Sequence, residues 1–64
     1  MNDEHPLRSW RKANHVSLEK LAILVGVQAP HLSEIETGKK DPSVTVARKL
    51  ADQTGLSLDE VLRQ

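Results

Sequence analysis

Three histidines, His5, His15 and His31, and nine carboxylates are the residues here that could hold a metal ion or move protons. Their spacing argues against both roles. The histidines share no ligand spacing, and there is no cysteine to complete a zinc set or a disulfide. No nucleophile–base pair and no glycine-rich phosphate loop is visible either, so an enzyme is the least supported class and no cofactor or metal is expected. What the residues do offer is recognition chemistry. Lys39 and Lys40, adjacent in a polar turn, form the most concentrated positive site, suited to phosphate oxygens.

Composition narrows the classes further. The 64 residues carry nine Lys and Arg against nine Asp and Glu, a formal net charge of zero. That balance argues against strong non-specific binding to a polyanion, although a local patch escapes a net count. A chain of this length is expected to form one domain, residues 1–64, with a marginal core that gains from close helix packing or a second subunit. No apolar run approaches a membrane span, and the acidic start Met1-Asn2-Asp3-Glu4-His5 does not resemble a signal peptide, so a cytoplasmic protein without membrane partners is expected.

The elements that must position these residues are helices. Apolar residues recur at helical spacing, and the pattern predicts five helices, about 6–14, 17–25, 28–37, 43–54 and 57–63, with no strand. Pro6 suits a first helical turn. Ser17 and Ser43 are N-cap residues, and Ser57 with Glu60 three residues on forms a capping box. Gly26, Gly38 and Gly55 end helices, and Pro30 falls in a first turn where proline is tolerated. The inward stripes are read as Leu7, Trp10 and Ala13; Leu18, Leu21, Ala22, Leu24 and Val25; and Val44, Ala47, Leu50 and Ala51. Trp10, the one aromatic residue, is read as packing between the first and last helices. Val61 and Leu62 finish the core and, with Leu58, supply a dimer seam.

From Leu18 to Glu36 the sequence has two short helices joined at Gly26, with small Ala22 where they cross and Val27, Leu32 and Ile35 closing the wedge. Ile35-Glu36-Thr37-Gly38-Lys39-Lys40-Asp41-Pro42-Ser43 and Gly55-Leu56-Ser57-Leu58-Asp59-Glu60-Val61-Leu62 follow in order. Together these segments resemble the helix-turn-helix family of phage lambda-type repressors and Cro proteins, over nearly the whole chain. The resemblance implies a five-helix, all-α domain that binds double-stranded DNA as a homodimer, usually as a repressor. By matched positions it implies that Gln28, Ala29, Pro30, His31 and Glu34 meet base edges, while Ser17, Leu18, Ser33, Thr37, Lys39 and Lys40 lie near phosphates. It also implies that Arg11 and Glu36 form a structural pair.

The outward residues depart from the family's habits. Leu18 stands where a glutamine often steadies a phosphate, and Ala29 and Pro30 stand where polar base readers are common. Glu34 can accept from cytosine N4, and Ala29 can pack on a thymine methyl. Two function classes follow: a sequence-specific DNA-binding regulator, and a protein-interaction module that uses the acidic, proline-bearing third helix against a protein partner.

Overall fold

The computed structural model describes residues 4–63; Met1, Asn2 and Asp3, part of the acidic start considered above, and Gln64 lie outside them. Five helices follow one another: α1 Pro6–Asn14, α2 Leu18–Val25, α3 Ala29–Glu36, α4 Val44–Thr54 and α5 Leu58–Val61. No strand occurs among the described residues. The all-α, five-helix architecture expected from the sequence is the one observed.

The boundaries are set by local chemistry. Ser17, Ser43 and Ser57 each have extended backbone, and each hydroxyl accepts the N–H three residues on, from Lys20, Val46 and Glu60. These serines are caps outside the helices, which is why the helices begin one residue later than the sequence ranges. Glu60 returns a bond to the Ser57 N–H at 3.1 Å, completing the capping box. The fifth helix ends at Val61 rather than residue 63, with Leu62 as its C-cap. Gly26 closes α2 in the left-handed region, φ 76°, where the absence of a Cβ removes the strain. His15 does the same for α1 at φ 56°, the one non-glycine residue among those described to adopt such a backbone.

The core gathers Leu7, Leu21, Ala22, Val25, Leu32, Ile35, Ala47, Leu50 and Val61. Each helix contributes, with α2 packed on α3 and α4, and α1 on α3 and α5. Trp10 is half-buried against this core, in α1, the helix that packs on α5.

Three expected inward residues face out. Leu24 is 45% exposed, Val44 69% exposed, and Ala13 is exposed. In α2 the buried set Leu21, Ala22 and Val25 defines a stripe, and Leu24 lies roughly 110° away from its centre at about 100° per residue. Ala13 is similarly displaced from Leu7, by about 120°. Val44 opens α4, at the edge of the stripe that Ala47 and Leu50 define. No described helix is long and apolar enough to cross a membrane.

Candidate nucleic-acid interface

Burial of Leu32 and Ile35 fixes the rotation of α3 about its own axis. Helical spacing then turns Pro30, Ser33, Glu34 and Thr37 away from the core, with Ala29 and His31 on the flanks. Ala22, nearly fully buried, lets α2 approach α3 closely, and Val27 packs half-buried beside the joint. The Val27 N–H reaches back to the Ala22 carbonyl at 3.0 Å, locking the turn around Gly26. The geometry thus joins two helices rigidly while leaving one side of the second uncovered.

At the start of α3 Gln28 is the N-cap, but its side chain makes no capping bond, and Pro30 brings no N–H. The Gln28 amide is therefore exposed and uncommitted to the helix. Pro30 is exposed, while His31, Ser33 and Glu34 are half-buried. Ala29 packs partly against the core, so its methyl group offers less surface than the sequence reading assumed.

The residues expected near phosphates divide. Lys39 and Lys40 are exposed, and their backbone N–H groups both bond the Glu34 carbonyl, at 2.9 and 3.3 Å, which folds the lysine turn against the end of α3. Ser17 uses its oxygen as a cap acceptor from the Lys20 N–H at 3.0 Å, leaving its hydroxyl proton for an outside acceptor. The Leu18 side chain is half-buried against the core, so what it presents at the open end of α2 is its backbone N–H. Thr37 is a correction of role. Its hydroxyl donates to the Ser33 carbonyl at 3.0 Å and lies 3.3 Å from that of Glu34, so its proton is committed to the helix end.

The Arg11–Glu36 pair is present and bidentate. Arg11 Nε donates to Glu36 Oε2 at 2.7 Å and Nη2 to Oε1 at 2.9 Å, while Nη1 donates to the Val16 carbonyl at 3.2 Å. The side chains are 15% and 5% exposed. The hydrogen bonds it donates to Glu36 raise the Arg11 pKa above its ordinary value, against the opposing effect of burial. One guanidinium thus ties α1, the α1–α2 link and the end of α3 together.

Glu4 accepts from Lys12 Nζ and Ser9 Oγ, both at 3.0 Å, and lies 3.5 Å from Arg8 Nε. Those bonds, led by Lys12, hold its carboxyl below the usual range. Two of the cations of α1 are thereby engaged with a carboxylate of the same chain. Lys49 of α4 places its ammonium beside Gly26, about 4.0 Å from where a Cβ would stand, at the negative end of α2. Among the described residues no group of three His, Cys, Asp or Glu side chains is placed to hold a metal ion.

For the expected dimer seam, Val61 is a second correction. It is 0% exposed and completes the core, whereas Leu58 and Leu62 on the same short segment are 43% and 45% exposed. Of the three expected seam residues, Leu58 and Leu62 are the two that offer surface to a partner. Sequence reasoning weighed His5 only as a metal ligand and missed its place in the fold. It caps α1 through Nδ1, which accepts the Leu7 N–H at 3.1 Å, and it is 7% exposed. A cap-position histidine just before Pro6 was the available signal, obscured because histidine ranks low among N-cap residues.

Comparison with known proteins agrees with this geometry. A helix-turn-helix family model matches residues 7–61, from the first core leucine to the last core valine. An HTH-type transcriptional regulator of Mycobacterium tuberculosis is 38% identical over 53 residues, 83% of this chain; the chain spans only 38% of that relative's length. The crystal structure of the restriction-modification controller protein C.AhdI from Aeromonas hydrophila superposes with a TM-score of 0.74 at 31% identity, covering 86% of this chain and 83% of the other. The N-terminal DNA-binding domain of SinR from Bacillus subtilis gives 0.75 at 29% identity, with coverage of 91% and 86%. The matched span, the wedge at Ala22 and Gly26 and the shared architecture have one reading: the chain belongs to the Cro/C1-type helix-turn-helix family, whose members are DNA-binding regulators and not enzymes.

Proposed function

We propose that this chain is a sequence-specific DNA-binding transcriptional regulator that acts as a dimeric repressor, with α3 in the major groove. The observation that carries the reading is the outward face of α3, Pro30, Ser33 and Glu34, directly followed by the exposed Lys39–Lys40 turn. Gln28, with both amide donors and an acceptor, reads a base edge; Glu34 accepts from cytosine; Ala29, Pro30 and His31 shape the fit. The lysines, the Ser17 hydroxyl and the open N–H groups of α2 hold phosphates and set the register. Leu58 and Leu62 of two copies form the seam. Described residues 4–63 measure 31 × 23 × 22 Å along their principal axes, so paired copies can present their third helices to successive grooves about 34 Å apart. Repression follows by occluding the site.

Titrating a fluorescent duplex pool at several salt concentrations tests this reading. DNA binding gives a steep negative log–log slope and a recoverable consensus sequence. Glu34→Ala is expected to cost about 1–3 kcal/mol at one base position and relax preference there, whereas Lys39→Ala or Lys40→Ala weakens all sequences alike and lowers the salt slope by about 1. A uniform loss on Glu34→Ala would place that residue outside the groove.

The zero net charge and the acidic Glu34 favour a second reading, in which the same face meets a protein partner. Absence of binding at low salt by dimeric protein selects it. The dimer itself is checked by sedimentation at two concentrations. Leu62→Ser is expected to weaken self-association about tenfold, from the apolar area lost, with little change in monomer stability.

A further inference from the structure

The one described buried side-chain atom without a hydrogen-bond partner is Nε2 of His5. Because the Leu7 N–H donates to Nδ1, the imidazole is neutral with its proton on Nε2, and that buried N–H points toward the C-terminal end of the fold, where the backbone of Arg63 and Val61 faces it. The residue thus touches two elements: it supplies the N-cap of α1, and it lies against the end of α5, which α1 packs on. We propose that His5 is an acid-sensitive latch: neutral, it caps α1 and packs its buried ring at the α1–α5 contact, and protonation breaks the cap and loosens the end of α5.

A second proton would go on Nδ1, the atom already accepting from Leu7. Two donors would then face each other, the cap would be lost, and a cation would stand at the positive end of a helix dipole. The charged surroundings do not rescue it. Glu36 of α3 favours the cation, but its two oxygens are already engaged by Arg11. Glu4, next in sequence, is held by Lys12, Ser9 and Arg8, and Arg63 beyond α5 repels a positive imidazole. Burial dominates and pushes the His5 pKa below its ordinary 6.5, outweighing the backbone of Arg63, Glu36 and the backbone of Val61. The sign follows. A folded pKa below the unfolded one means that stability is complete above the unfolded pKa and is lost as pH falls from about 6.5 toward the folded value. α5 is the element that leaves first, because four residues with one buried side chain, Val61, hold it in place.

The test is made on the whole chain. In ¹⁵N-resolved imidazole spectra, His5 is expected as the Nε2-protonated tautomer at neutral pH, titrating below the ordinary imidazole value of 6.5, and the amides of Leu7 and Leu62 lose hydrogen-exchange protection over the same interval. Urea unfolding at about pH 7.5 and about pH 5 is expected to show a drop in the folding equilibrium constant attributable to His5, of at most about thirtyfold, the limit set by an unfolded pKa of about 6.5. His5→Asn, which keeps a cap acceptor but does not titrate, should lack that component. A His5 midpoint at or above 6.5, protection of Leu62 that survives His5 titration, or an equal pH loss in His5→Asn overturns the proposal. The spectra and the exchange rates come from the parent chain, so they decide the matter even where the variant fails to fold.

Discussion

Leu32→Ala is expected to leave the chain largely unfolded at room temperature. Leu32 is 0% exposed and is the inward anchor of the helix whose outer face is proposed to read DNA. Truncating a buried leucine costs about 2–5 kcal/mol, the lost transfer energy plus a cavity that neighbours only partly refill. A core of this size supplies about 3–5 kcal/mol in total, so the loss is comparable with the whole stability. The cavity would open between α3 and its supports, where Ala22 is too small to move in. Far-ultraviolet circular dichroism with urea titration checks it: the helical signal should fall sharply, while Leu62→Ala, at a half-exposed position, should shift the midpoint little. A stable, helical Leu32→Ala protein would mean that α3 can rotate on its support, and the assignment of an outer face would fall with it.

Arg11→Ala should cost about 3 kcal/mol, the second-largest effect. The variant leaves Glu36, 5% exposed, as an unpaired carboxylate, and frees the Val16 carbonyl. Removing one member of such a pair is far more harmful than replacing both, because the surviving charge keeps its desolvation cost without its partner. Arg11→Met combined with Glu36→Leu is therefore expected to recover most of the lost stability, and Arg11→Lys only part of it, since an ammonium cannot make the two parallel bonds at 2.7 and 2.9 Å. Denaturant midpoints across this set form a double-mutant cycle. Additive losses in it would show that the pair is solvent-screened and the partners independent.

Much of the scaffold was legible because its signals are local. Ser17, Ser43 and Ser57 announce helix starts by their hydroxyls, and Gly26 announces a left-handed residue by its missing Cβ. Leu24, Val44 and Ala13 were misplaced because apolar character alone does not say which side of a helix finds a neighbour; Leu21, Ala22 and Val25 occupy the only stripe that α2 can bury. Val61 was placed partly in a seam because the sequence shows two adjacent apolar residues, and only packing against α1 and α4 decides which turns inward. The commitment of the Thr37 hydroxyl and the role of His5 depend on where single protons go, which residue type and spacing leave open. The DNA-facing residues came from positional matching to a family, so they rest on α3 having the family's orientation. The burial of Leu32 and Ile35 supports that orientation.

Val61 also governs when the molecule can exist during its own synthesis. Leu7 near the beginning and Val61 near the other end belong to one core, and α1 rests on α5. A ribosome that has reached Gly55 has made four helices but not the plug that seals the first. The nascent chain therefore waits, its apolar interior open, until residue 61 has cleared the exit tunnel. Folding of this unit is expected to follow translation of its last turn, and a premature stop before Val61 is expected to leave a chain that does not fold.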